Sequence, residues 1–377
     1  MNEALATELP SLINFNESVI QVVNRLLQDA ILNHASDIHI EPYHQHCRIR
    51  FRSDSLLHEV ATFPSPLAMQ MITRLKIMAN LNIAERRLPQ DGHISLQNDH
   101  KIDIRISTCP TLFGEKIVLR LLNSSAIKSD IHQLGLTDTQ QQLFLNKLKQ
   151  PQGLILVTGP TGSGKTITLY SALHYLNQIE KNIVTIEDPV EIELAGINQV
   201  MVNNKIGLDF ATILRTFLRQ DPDIIMVGEI RDNETATIAL QAAQTGHLVL
   251  STLHTNNAIE TITRLQHMGI PSYHLIASIS LIIAQRLVRR LCQFCKHTHL
   301  GCENCHEGFK GRIGIFEVLP ITHSIAKIIL AGGDRLKILN QAKAENIMFL
   351  AQAAQKKVEA GITNIAEVDR VLTNELV

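Results

Sequence analysis

Eight residues constrain this chain more than any others. Gly159-Pro160-Thr161-Gly162-Ser163-Gly164-Lys165-Thr166 fits the pattern G-x-x-x-x-G-K-S/T. It follows an apolar, strand-like run, Gly153–Val157, and opens a segment that reads as a helix. Glycines let such a loop curl until successive backbone N–H groups face one centre, and the helix N-terminus adds a favourable dipole. A loop of this kind holds phosphate. Lys165 would reach the β- and γ-phosphates of a nucleotide, and the Thr166 hydroxyl would ligate Mg²⁺.

The strand–loop–helix unit requires a particular kind of domain around it. From about residue 131 short apolar runs alternate with helical patterns: strands at 153–158, 182–187, 223–228 and 247–253, helices at 164–177, 209–219 and 232–244. That alternation predicts an α/β core around a mostly parallel sheet. Helices are expected to dominate the remainder, interrupted by a cysteine-rich segment at 292–312. The apolar run near Ile276–Ala284 is too short to span a bilayer and reads as a buried core helix.

The first ~125 residues differ. Residues 18–34 carry Val19, Val22, Val23, Leu26, Leu27, Ala30 and Ile31 at helical spacing, with Ser18 and Gln21 placed as a capping box. In 47–52, Cys47, Ile49 and Phe51 alternate with three arginines. Ile102, Ile104 and Ile106 alternate with Asp103 and Arg105, and 117–122 again reads as a strand. A small α+β domain is predicted, joined to the rest by the polar stretch Asn123–Asp130. The expected division is an N-terminal domain at 1–125, a linker at 126–135, an ATPase core at 136–290 and a C-terminal zinc-binding and helical region at 291–377.

A phosphate loop needs carboxylates near the metal and the attacking water. Asp223-Ile-Ile-Met-Val-Gly-Glu229 is an apolar strand ending in an acid, which makes Glu229 the candidate general base. A second acidic cluster, Glu187, Asp188 and Glu191, follows the strand at 183–186. In a parallel sheet both clusters lie at the carboxyl ends of strands, where ligands bind. His254 ends the strand at 247–253, where it would sense the γ-phosphate. His247 begins that strand; it is grouped with the nucleotide contacts but cannot do the same job. Arg215 and Arg219 share a helix face, and Arg231 follows Glu229; these are candidates for phosphate or subunit contact.

Cys292-x-x-Cys295-x₆-Cys302-x-x-Cys305 suits a closed tetrahedral Zn²⁺ site, with reduced thiols or redox pairs as the alternative. Cys47 and Cys109 read as ordinary buried cysteines. A formal net charge of -1 and only 4% aromatic residues argue against a nucleic-acid binder. The N-terminus lacks the basic and apolar regions of a signal peptide, so a cytoplasmic location is expected.

These motifs in this order resemble the secretion ATPase family of type II secretion and type IV pilus machines. Gly159–Thr166 looks like its Walker A, Thr185–Glu191 its Asp box, Leu218–Asp232 its Walker B, and Thr245–Asn256 its His box. Upstream, Ala35–Pro42 and Arg87–Gly92 resemble motifs of the family's PAS-like domain; downstream, the cysteines and Lys310–Glu317 resemble its zinc-binding segment. The resemblance covers roughly residues 18–350. It implies a RecA-like ATPase core with ATP, Mg²⁺ and Zn²⁺, and a homohexameric ring in which ATP lies between the two domains. It also implies that Arg87 and Arg105 of the N-terminal domain approach the phosphates, with Arg215, Arg219, Arg231 and Arg312 as core candidates. Docking on a polytopic inner-membrane platform protein follows, with peripheral membrane association through that partner. The chain is shorter at its N-terminus than many members, His93 stands where an arginine is common, and the gap between cysteine pairs is short. The short form is similar to competence and minor pilus-assembly ATPases, and the cysteines separate it from the retraction branch. The rival readings are a retraction or conjugation ATPase and a scaffold that binds ATP without hydrolysing it.

Overall fold

The computed structural model describes residues 18–97, 101–122, 130–295 and 301–372. The chain forms two compact units, Met1–Ile127 and Lys128–Val377. Of the linker expected at 126–135, residues 126–129 lie outside the described residues, and 130–135 belong to the second unit.

The first unit runs α1 (Val19–Leu32), β1 (Asp37–Pro42), β2 (His46–Ser53), β3 (Leu56–Pro64), α2 (Ser65–Met78), β4 (Gln90–Gln97), β5 (Lys101–Thr111) and β6 (Gly114–Leu122). Ser18 and Gln21 form a reciprocal capping box that starts α1. The six strands make one sheet in the order β3-β2-β1-β6-β5-β4, each neighbouring pair antiparallel. Alternation decides its faces. Ile38, Ile40, Ile49, Phe51, Ile104, Ile106 and Leu119 are buried together with the inner sides of α1 and α2. Arg48, Arg50 and Lys116 on the other face converge on Glu41. Cys47 is buried as predicted, but Cys109 is exposed, because its position on β5 falls on that second face.

The second unit runs α3 (Asp138–Leu148), β7 (Gly153–Thr158), α4 (Lys165–Leu176), β8 (Ile183–Glu187), β9 (Asn198–Met201), α5 (Phe210–Phe217), β10 (Ile224–Val227), α6 (Asn233–Gln244), β11 (Leu248–Leu253), α7 (Ala258–His267) and α8 (Ser272–Ser278). It continues with β12 (Ile279–Leu291), β13 (Phe309–Pro320), α9 (His323–Leu330), α10 (Arg335–Ala344), α11 (Leu350–Glu359) and α12 (Ile365–Leu372). Its sheet has the order β13-β12-β7-β11-β10-β8-β9. Only the β12–β13 pair is antiparallel; the rest are parallel. β7, β8, β10 and β11 are buried along their whole length, as a sheet covered on both faces requires.

The run at 276–284 corrects the sequence reading. Helix α8 stops at Ser278, and the apolar stretch that follows is strand β12, paired parallel to β7 through Ala284–Thr158. Where it is buried at every position, from Leu281 to Ala284, the run has no period to separate strand from helix, and the isoleucines of Ile279–Ile283 favour the strand. β12 also carries the chain past residue 290, so the C-terminal residues begin inside the core sheet. Among the described residues no helix is long and apolar enough to cross a membrane.

Candidate nucleotide site

Register brings the predicted chemistry to one edge of the second unit's sheet. Thr158 at the end of β7 pairs with Leu253 of β11, and Val227 of β10 pairs with Ile186 of β8 and Ser251 of β11. The residues at and after these ends line one cavity of about 400 Å³: the loop Thr161–Thr166, then Glu187, Asp188, Glu191, Glu229 and His254, joined by Arg312 from β13.

The loop's glycines are needed where they stand. Gly159 has φ +150°, and a Cβ there would lie 2.5 Å from the Gln285 carbonyl oxygen and 2.6 Å from Ser163 Oγ. Gly164, the N-cap of α4, has φ +89°. Lys165 is buried, with Nζ donating to the carbonyls of Gly159 (2.8 Å) and Pro160 (3.1 Å). Burial brings its ammonium down to about 8, against an opposing pull from Glu229 and with a smaller push from Arg286. The buried Ser163 hydroxyl has no hydrogen-bond partner. A buried cation on neutral carbonyls, an unsatisfied hydroxyl and an exposed threonine at the start of α4 form a donor set that fits a metal-bound polyphosphate.

Glu229 owes its place to the residues around Gly228. The Gly228 N–H donates to the Ile186 carbonyl (2.8 Å), its carbonyl accepts from Thr252 Oγ1 (2.7 Å), and the Ile230 N–H donates to Thr252 O (3.0 Å). A Cβ at Gly228 would meet Ile186 O at 3.0 Å, which accounts for glycine before the acid. One Glu229 oxygen accepts from Arg231; the other lies 3.2 Å from His254 Nε2. Burial raises the Glu229 carboxyl, but Arg231 and His254 outweigh it and hold the group below the usual carboxylate range. Arg231 also faces Asp188 at 3.6 Å, which ties the two acidic clusters together.

Glu187, which lines the cavity, is also tied into the fold. It is buried, and both oxygens are engaged: Oε2 by the Tyr170 hydroxyl, Oε1 by Thr185 Oγ1 (2.6 Å) and Gln199 Nε2 (3.0 Å). It braces α4, β8 and β9 against one another. Neither Tyr170 nor Gln199 carried a sequence signal. Gln285 did, as a polar residue in an apolar run; its Oε1 accepts from Thr168 on α4 (2.7 Å).

Other predicted residues of the second unit are not among those that line the cavity. His247 immediately precedes β11, at the opposite end from His254, with Nδ1 3.0 Å from Ala242 O. Arg215 pairs with Glu234, and Arg219 donates to the Arg215 carbonyl (2.9 Å). Arg87 and Arg105 belong to the first unit. Arg87 is exposed and pairs with Glu85, and Arg105 stands on β5 between His93 and Arg120.

The sulfurs of Cys292, Cys295, Cys302 and Cys305 all lie within 4.8 Å of one another, a grouping that can hold a metal ion. The backbone N–H of Cys295, assisted by that of Phe294, brings the Cys292 thiol down to about 7, and so toward the thiolate a metal requires.

The family described as type II/IV secretion system protein matches residues 14–370. The chain belongs to that family. It is 51% identical over 380 residues to the type IV pilus assembly ATPase PilB of Pseudomonas aeruginosa, covering 94% of this chain and 67% of that one. It is 45% identical over 380 residues to the type II secretion system protein E of Pectobacterium carotovorum, covering 95% of this chain and 76% of that one. The chain thus spans about two thirds of the length of the pilus-assembly relatives it matches. Among solved structures it is similar to the pilus retraction motor PilT with bound ADP, at 27% identity and a TM-score of 0.66, covering 92% of this chain and 95% of that one. The α/β ATPase fold described above is the fold of this family member.

Proposed function

We propose that the chain is the ATP-hydrolysing motor subunit of a machine that assembles a type IV pilus or drives type II secretion. Family membership and relatives named as pilus assembly ATPase and type II secretion protein E support that activity. The observation that carries it is the convergence of a phosphate loop, the Glu229 carboxylate and His254 on one cavity.

In this reading the triphosphate lies along Gly159–Thr166, with Lys165 and Arg312 facing its charge and Thr166 holding Mg²⁺. When bound, the ion would supply charge neutralisation for the phosphates. Glu229, ionised at neutral pH, accepts the proton of the attacking water. The water oxygen bonds to the γ-phosphorus as the bond to the bridging oxygen breaks, giving ADP and phosphate. Arg231 and His254 keep the base in place. Glu187 and Asp188 support the site, Glu191 faces it, and no covalent intermediate is needed. The cysteine cluster is read as a structural Zn²⁺ site with no catalytic position.

The remaining assignments belong to the same proposal. The first unit is read as a PAS-like domain, supported by its antiparallel sheet with helices on one face. Its Arg87 and Arg105 would approach the phosphates, while Arg215, Arg219 and His247 would serve contacts other than the cavity's own. The chain would act as a homohexamer in the cytoplasm, at the inner membrane through a platform protein, without binding nucleic acid. The likeness to PilT keeps retraction as a second reading, at lower identity than the assembly relatives.

Phosphate release by the purified chain tests the activity. Magnesium-dependent turnover that vanishes on chelation is the expected result; nucleotide binding with no phosphate released would make the chain a sensor. Loss of the gene should abolish pili or secretion, whereas excess pili would assign retraction.

A further inference from the structure

One hairpin joins the cysteine cluster to the nucleotide cavity. β12 ends at Leu291 and β13 starts at Phe309, and the two cysteine pairs flank that gap, one after β12 and one before β13. Three residues into β13, Arg312 lines the cavity. The ladder between them is irregular: Arg312 pairs with Arg289, Phe309 pairs with Leu291, and the register shifts between. Gly311, next to Arg312, has φ +75°. A ladder broken at this point leaves other contacts to fix where Arg312 stands. The Cys292 N–H donates to Gly308 O (2.7 Å), and the Arg289 guanidinium sits 4.0 Å from the centre of the Phe309 ring. Arg289 is itself neutralised by buried Glu367 at 3.0 Å.

We propose that the cysteine cluster positions Arg312, so that metal and nucleotide bind with positive coupling. Gathering four thiolates on one cation fixes the end of the hairpin from which Arg312 projects; phosphates drawn to Arg312 fix the same end from the other side. The inference rests on reading the cavity as an ATP site and the cluster as a zinc site. Coupling of this kind is reciprocal, so it can be read at the metal instead of at catalysis.

The experiment measures the zinc affinity of the full chain by equilibrium competition with a chromogenic chelator, with and without a saturating non-hydrolysable ATP analogue and Mg²⁺. Binding of a fluorescent version of the analogue is measured in the same samples. The analogue should raise zinc affinity about fivefold. Arg312→Gln should lose that gain at analogue concentrations that still saturate it, and Arg312→Lys should restore part of the gain. Analogue binding with no change in zinc affinity would overturn the inference alone, as would the full gain in Arg312→Gln. No analogue binding at all would overturn the reading of the cavity, and the inference with it.

Discussion

Among the described residues each unit buries one lysine, and the two are solved in opposite ways. In the first unit Lys76 is 1% exposed; its Nζ meets the Glu115 carboxylate at 2.8 Å and the Glu85 carbonyl at 2.7 Å. In the second, Lys165 is 9% exposed and rests on two neutral carbonyls. A buried ammonium beside a carboxylate is a completed pair that ties α2 to β6 and to the loop before β4. A buried ammonium with no carboxylate in contact is electrostatically incomplete, and burial brings it down to about 8. The first contributes to the fold, and the second is built to receive an anion.

Removing each cation should break the comparison in opposite directions. Lys76→Met strands the Glu115 carboxylate and should cost about 3–5 kcal/mol of stability in chemical denaturation; the double variant Lys76→Met with Glu115→Leu should recover most of it. Lys165→Met relieves a buried charge, so the melting temperature should not fall. Its nucleotide affinity should drop about 100-fold by titration, the value of a lost charge-assisted contact to phosphate. Equal melting losses in the two single variants would erase the distinction.

A smaller effect comes from pH. Between about 8 and the ordinary lysine value of 10.5, the folded chain has lost a Lys165 proton that the unfolded chain keeps. The Lys165 contribution to stability therefore grows as pH rises through that window. Nucleotide binding needs the ammonium, so affinity should be constant below pH 8 and fall by up to about tenfold per unit above it. A flat affinity from pH 7 to 9.5 would show that Lys165 does not titrate there.

The sequence was legible where local chemistry is strict. Gly159–Thr166, Gly228-Glu229 and the paired cysteines are each dictated by backbone geometry or ligand count, and the structure brings each group together. The alternating strands of the first unit were legible because one face is buried and the other is not. β12 was misread because its apolar run Leu281–Ala284 is buried at every position and carries no periodicity. Glu187 was legible only in part: its place in the cavity lining follows from a carboxylate at a strand end, but nothing in the sequence shows that it also accepts from Tyr170, Thr185 and Gln199. Those donors come from three different elements, and only the packed sheet brings them together.

The role of Glu229 is tested most directly by a single turnover with a limiting amount of ATP on wild type and Glu229→Gln. The glutamine variant should bind ATP as tightly as wild type and release phosphate about 10²–10⁴-fold more slowly. Phosphate release at the wild-type rate would contradict the assignment of Glu229 as the group that prepares the water.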